Sequence, residues 1–396
     1  MSGRKKAVFI LPDEYARFSG QIGAEMENNM KIRGVNLGNW LVLEKWMSPA
    51  LFEGTKAEDE DALCRELPRQ ELIKRLTAHR GSYITREDFI YISERGLNMV
   101  RIPVPHFIFG DDPVYCEPYV PCIEYLDRAF DWAGETGLQI LIDLHTAPES
   151  QNGFDNGGIC GVCKWAQSPE RIDRVLKVLG MLAERYKSHP ALWGIQLLNE
   201  PISEPLWQMI RSRYLPQDPE RAAGSSFVPL EVLYDFYTRG YHMLRSILPP
   251  GKKIVFHDGF RFEVWDTFFR EAGFENVVLD AHWYLGMGQP DEDTDELSYM
   301  NAILKEDVKK LKRMEAVVPV IIGEWCLSHN LKPGREYSAL EKQLSYRLIG
   351  DAQLMAWESA GGYFFWSYKL LSQPEGWDFR KCVEKGWLPD NLEKGF

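Results

Sequence analysis

The sequence has 396 residues, 45% of them hydrophobic and 26% charged, the proportions of an ordinary soluble globule with ample core. A net charge of -12 excludes nucleic acid and an anionic membrane surface as the main partner and suits a neutral or cationic ligand. No run of about 20 apolar residues occurs, so no membrane-spanning helix is expected.

Residues 1–30 show little periodicity and are expected to form an N-terminal extension packed across the bottom of the fold. The basic opening residues lead into a short apolar run cut at once by Pro12, Asp13 and Glu14, unlike a signal peptide. The seven cysteines, Cys64, Cys116, Cys122, Cys160, Cys163, Cys326 and Cys382, form an odd set without framework spacing, and they read as reduced thiols in a cytoplasmic protein. Cys160-Gly-Val-Cys163 lacks the second pair that a zinc or redox site would need. A first strand is predicted over 32–38, followed by a charged helical excursion over 53–80. Helical spacing resumes after Thr85, whose hydroxyl can cap a turn bearing Glu87 and Asp88, and it stops at Gly96.

From there the chain alternates regularly. Apolar strands are predicted over 99–104, 139–145, 192–200, 253–259, 277–284, 317–325 and 362–369. Helices are predicted between them over 123–136, 171–187, 230–247, 262–272, 299–314 and 336–359, with insertion loops at 218–226 and 286–298. Eight buried strands alternating with helices point to α/β architecture, a (β/α)8 TIM barrel with long βα loops, forming one catalytic domain over 31–396. An open doubly wound sheet would also alternate, but no Gly-x-Gly-x-x-Gly turn follows the first strand.

In a barrel, chemistry gathers where strands deliver their C-terminal residues. Those ends carry Glu44, Arg101, His145, Asn199 and Glu200, His257 and Asp258, His282 and Tyr284, Glu324, and Trp366. Two glutamates, each closing an apolar run (Leu-Leu-Asn199-Glu200-Pro and Ile-Ile-Gly-Glu324-Trp), fit the paired carboxylates that acetal cleavage requires. Arg101 and Tyr284 are expected to keep Glu324 ionised, whereas Glu200, less well paired, is expected to hold a proton. Asn199 suits a sugar 2-hydroxyl. Thirteen Trp and seventeen Tyr supply flat faces of the kind sugar rings stack on. A metal-dependent hydrolase would need His145, His257, Asp258 and His282 to converge as ligands, yet no His-x-His pair follows the first strand. No metal or cofactor is therefore expected.

These motifs, with Val-Arg101-Ile-Pro-Val, His282-Trp-Tyr284 and Trp366-Ser-Tyr-Lys, resemble glycoside hydrolase family 5 of the retaining (β/α)8 clan over residues 31–370, and most of all its exo-β-1,3-glucanases. The resemblance implies Glu200 as acid/base and Glu324 as nucleophile. Its exo-acting branch rests on Gly34-Val-Asn-Leu-Gly-Asn-Trp-Leu-Val-Leu-Glu44 and Ala147-Pro-Glu-Ser-Gln-Asn-Gly-Phe154-Asp155-Asn156. In relatives, the counterparts of Glu44, Asp155 and Asn156 grip the terminal glucose, and that of Phe154 helps clamp the next sugar. The chain departs from that pattern at Thr146 and Glu149, where glycine is usual, and after Tyr284, where a second clamp phenylalanine is missing. The implied partner is a β-glucoside or β-glucan oligosaccharide. An endo-β-1,4-glucanase, a diglycosidase, a lipid or steryl β-glucosidase, and a non-catalytic carbohydrate-binding barrel share enough of these features to stand as alternatives.

Overall fold

A computed structural model describes residues 31–285, 295–329, 331, 336–372 and 374–394. The chain divides into Met1–Lys31 and Ile32–Phe396. The extension expected over residues 1–30, and most of the loop expected over 286–298, lie outside the described residues.

Eight parallel strands close on themselves in sequence order, as the alternation predicts. They are β1 Ile32–Asn36, β2 Met99–Val104, β3 Gln139–Leu144, β4 Leu192–Gln196, β5 Lys253–His257, β6 Val277–His282, β7 Val320–Trp325 and β8 Gly362–Phe365. Helices Ile123–Thr136 and Leu230–Ile247 take their expected bounds. Thr85 and Asp88 form a reciprocal capping box on the helix Arg86–Glu94, satisfying two end N–H groups that would otherwise lack partners. The helix expected over 299–314 is interrupted by a π turn, Ala302–Asp307, between Glu296–Asn301 and Val308–Glu315. Several strands end two to four residues earlier than their apolar runs, because those runs continue as buried but irregular segments at the mouth. After β4, for example, Leu197 N–H still donates to Val255 O and Asn199 N–H to Leu144 O.

Inside the barrel, side chains alternate along each strand and so fall into layers. The lower layer is apolar: Ile32, Met99, Leu141, Val255, Val278, Ile321 and Phe364. Higher along the strands, inward positions are polar: Asn36, Arg101, Asp143, Gln196 and Asp280, all fully buried. The register of β6 on β7 slips between Ala281 and His282, and the slip sets His282 directly beside Glu324. A glycine is required at Gly323, since a Cβ there would sit inside the carboxylate of Asp280, which accepts the Gly323 N–H at 2.7 Å.

Candidate active site

The polar layer is a floor organised by one guanidinium. Arg101 Nη1 donates to Asn36 Oδ1 and to Glu324 Oε1, both at 2.9 Å, Nε to Gln196 Oε1 at 2.9 Å, and Nη2 to Asn199 Oδ1 at 2.8 Å. Asp143 Oδ2 lies 3.1 Å from Nη2 and Asp280 Oδ2 lies 3.9 Å from it. Burial alone would weaken the guanidinium's hold on its proton, but Asp143, Glu324 and Asp280 outweigh it and hold Arg101 above its ordinary range. Among the described side chains of this layer, only Asp143 Oδ1 lacks a partner.

Above the floor stand the two glutamates. Glu324, 2% exposed, accepts from Arg101 at Oε1 and from the Tyr284 hydroxyl at Oε2, the latter at 2.7 Å. Glu200 follows β4 in a left-handed backbone conformation, φ 47°, a costly geometry for a side chain of this type and one often found at functional sites. Its Oε1 accepts from His282 Nδ1 at 2.8 Å and its Oε2 from Asn156 Nδ2 at 2.9 Å. His282 Nδ1 also lies 3.4 Å from Glu324 Oε2. The two carboxylate oxygens are therefore no farther apart than those two distances end to end. That bound brings the two carboxylates together over the same imidazole, where both can reach one sugar ring.

These contacts correct one expectation. Glu200 is not the less well paired of the two: burial pushes its pKa up, but His282 and Asn156 outweigh burial and bring it below the usual carboxylate range. For Glu324, burial and the charge of Glu200 win over His282 and Arg101, so its pKa is raised. The proton accounts for this order. Burial opposes a charge on His282, yet Glu324, Asp280 and Glu200 raise its pKa well above the ordinary value, so the free pocket carries an imidazolium against Glu200.

The remaining expected residues gather around this pair. His145 Nδ1 donates to Asp143 Oδ2 at 2.5 Å and its ring stacks on Trp366 at 5.6 Å, while Nε2 faces Asn199 Nδ2 at 3.4 Å. Glu44 lies not at the strand end but eight residues beyond β1, buried, with its N–H held by Asn39 Oδ1 at 3.0 Å. Behind it, Glu60 pairs with Arg80 at 3.0 Å and accepts the Leu43 N–H at 3.1 Å, so the helical excursion after β1 braces the loop that carries Glu44. Burial, then the charge of Asp155, push Glu44 well above the carboxylate range against the pull of Trp46, whose Nε1 donates to Oε2 at 2.9 Å. Burial likewise pushes Asp155 up to about 6. Asn152 Nδ2 donates to Asn156 Oδ1 at 3.0 Å and so aims the Asn156 amide at Glu200. Trp377 joins Trp46 at 5.4 Å to Tyr284 at 5.1 Å, adding an aromatic side to the mouth.

Sequence reasoning missed Asp143, Asp280, Gln196, Trp46 and Trp377. The aspartates had a signal: Asp143-Leu-His145 and Asp280-Ala-His282 repeat the same polar spacing on two strands, and a period of two sends both members inward. His257 is buried behind His282 at 4.3 Å, and Asp258 accepts the Phe260 N–H at 2.8 Å. Ligand atoms of Glu200, His257 and His282 fall within 4.8 Å of one another, as a metal site would require. The donor set does not fit one. His257 Nδ1 accepts the Gly259 N–H at 2.9 Å, which leaves its proton on Nε2, and both nitrogens of His282 already face carboxylates. The seven cysteines are buried and unpaired, and the N–H groups of Cys160 and Cys163 bond to Asp59 and Ser225 as loop anchors. A separate cavity of about 420 Å³, lined by His79, Tyr83, Lys369 and Arg380 among others, contains neither glutamate.

Comparison with known proteins fits this geometry. The Cellulase (glycosyl hydrolase family 5) profile matches residues 70–369. A glucan 1,3-beta-glucosidase of Blumeria graminis is 32% identical, the match covering 92% of this chain and 88% of that one. One from Candida oleophila is 30% identical over 92% of this chain and 90% of that one. Among solved structures, a rutinosidase from Aspergillus niger superposes with a TM-score of 0.73 over 91% of this chain and 98% of that one; at 20% identity the likeness extends to the fold alone.

Proposed function

The chain belongs to glycosyl hydrolase family 5, and from that premise we propose that it is a retaining, exo-acting β-glucosidase that releases terminal glucose from short β-1,3-linked glucosides, with Glu324 as nucleophile and Glu200 as acid/base. The observation that carries this reading is His282 Nδ1 held between the two carboxylates, 2.8 Å from one and 3.4 Å from the other.

In the first step an oxygen of Glu324 forms a bond to the anomeric carbon while the bond to the leaving oxygen breaks, and Glu200 delivers a proton to that oxygen. The proton is on hand in the free pocket. Glu200 carboxylate with His282 imidazolium, and Glu200 acid with neutral His282, are the same proton on either side of one 2.8 Å hydrogen bond. Asp280 behind His282 Nε2 at 3.3 Å stabilises the imidazolium form, and a leaving oxygen arriving at Glu200 draws the proton across. Arg101 and the Tyr284 hydroxyl orient Glu324 for attack. In the second step Glu200 takes a proton from water, the water oxygen bonds to the anomeric carbon, and Glu324 leaves, so the glucose is released as the β anomer.

The exo reading is supported by the carboxyls of Glu44, which is buried, and Asp155, which is half-buried, whose charges act on each other and on Glu200. Glu44 and Asp155 offer carboxyl oxygens to the hydroxyls of a chain-end sugar, and Asn199 Nδ2 has a hydrogen left for the 2-hydroxyl. Turnover of laminaribiose, cellobiose, gentiobiose, laminarin and an aryl β-glucoside, with the anomer resolved, tests it. Free β-glucose from the first time point, fastest from the 1,3-linked substrates, is expected. A fall in laminarin chain length ahead of glucose would replace the exo reading with an endo one. We further assign the protein to a reducing, cytoplasmic compartment, a reading the seven buried thiols favour; enzyme recovered mainly from the medium of its native host would refute it.

A further inference from the structure

We propose that the cavity between the helix Arg69–Ser82 and the helix Phe379–Glu384 binds a small sugar acid, its carboxylate on Arg380 and its hydroxyls on His79 and Glu384. This second site is independent of the glycosidase reading above.

The cavity, about 420 Å³, falls within the size range of pockets that hold small ligands. The first helix and its C-cap supply His79 and Tyr83, the segment after β8 supplies Lys369, and the second helix and its N-cap supply Asp378, Arg380, Lys381 and Glu384. Three of these side chains are cations, and two are already paired. Lys369 Nζ donates to both oxygens of Asp88, at 2.9 and 2.8 Å. Lys381 Nζ donates to Ser372 O at 3.1 Å and lies 3.6 Å from Asp378 Oδ2. The Arg380 guanidinium, half-buried with its Cζ 5.4 Å from the centre of the Tyr91 ring, has neither an ion pair nor a hydrogen bond among the described residues. Its N–H donors form a planar fork that matches the two oxygens of a carboxylate.

Two acceptors complete the site. His79 is 9% exposed, and its Nε2 donates to Asn39 O at 2.7 Å. Burial holds its pKa down to about 4, so the ring is neutral near pH 7 and Nδ1 keeps a lone pair, with no partner among the described residues. Glu384 is exposed and likewise unpaired among the described residues. A sugar hydroxyl can donate to either group. Glu384 also selects for charge, because it repels a phosphate dianion more strongly than a single carboxylate.

The walls are held in place without a ligand, which lowers the cost of binding one. Asp378 Oδ2 accepts the Leu370 N–H at 3.0 Å and Oδ1 the Lys381 N–H at 3.1 Å. The Tyr83 hydroxyl donates to Lys369 O at 2.5 Å and ties the first helix to the segment after β8.

Calorimetric titration of the full chain with glucuronate, glucose and glucose 6-phosphate tests the assignment, since the three differ only in the group at C6: a carboxylate, a neutral alcohol and a dianion. Glucuronate is expected to bind one site that Arg380→Ala weakens at least about 10-fold, the scale of a hydrogen-bonded charge pair. Arg380→Lys, which keeps the charge without the fork, should fall between the two, about threefold below wild type. Any binding of glucose should be the same in wild type and Arg380→Ala. No glucuronate binding, or binding that Arg380→Ala leaves unchanged, would overturn the proposal. A tighter hold on glucose 6-phosphate than on glucuronate, lost in Arg380→Ala, would overturn the choice of a carboxylate.

Discussion

The floor of the site and its rim are built on different principles. The floor, Arg101 with Asn36, Asp143, Gln196 and Asp280, comes entirely from strands, is fully buried, and depends on register: move any strand by one residue and its polar side chain leaves the barrel. The rim, Glu44, Phe154, Asp155 and Asn156, comes from loops held together by braces such as Glu60–Arg80 and Glu149–Arg221–Asp61. The floor fixes the reacting groups and so the chemistry. In the proposed reaction the rim would decide what the chemistry acts on, since its residues lie on loops outside the barrel strands.

The contrast can be broken most severely at its centre. Arg101→Met leaves Asp143, Glu324 and Asp280 buried without their cation, and a stability loss of about 3–5 kcal/mol is expected by denaturant unfolding, with turnover abolished. A folded, active variant would mean that the floor is not organised by that charge. His282→Asn removes the partner that shares a proton with Glu200, and kcat should fall about 100-fold. The alkaline limb of its kcat/KM profile should also move to lower pH. In the wild type the shared proton is lost only as pH rises past the raised pKa of His282, whereas Glu200 alone lacks that reserve. An unmoved limb would separate His282 from the proton store.

On the rim the expected effects are smaller. Glu44→Gln should cost about threefold in KM and Glu44→Ala about 10-fold, because an amide keeps the shape and most of the hydrogen bonding of the buried carboxyl and alanine keeps neither. Equal losses would show that Glu44 works as an anion. Arg221→Ala, at the periphery, should lower stability by about 1 kcal/mol and impair laminaribiose more than an aryl glucoside. If both substrates suffered alike, the brace would have no link to specificity.

The same contrast explains what the sequence made legible. Arg101, His145, His282, Glu324 and Trp366 lie in or at the end of apolar strands, and a strand's period of two with a barrel's inward parity is enough to bring them together. Asn199 and Glu200 followed from where their apolar run stopped. The rim had no such periodicity. Glu44 follows closely enough on the first strand to be counted with the strand ends, whereas Phe154, Asp155 and Asn156 were reached only through family resemblance, because the place of their loop depends on contacts such as Arg221 with Glu149, 72 positions apart in the chain, which no local pattern announces. The pairing of Glu200 was misjudged for a related reason: strand-end spacing shows that two glutamates meet, but not that His282 lies between them.

The most direct measurement is to treat the protein with 2-deoxy-2-fluoro-β-glucosyl fluoride, which forms the glycosyl-enzyme bond faster than water can break it, and to map the labelled peptide by mass spectrometry. A single glycosyl adduct on Glu324 is the predicted result. Labelling of Glu200 instead, or no adduct from an enzyme that releases α-glucose first, would contradict the roles assigned to the two carboxylates.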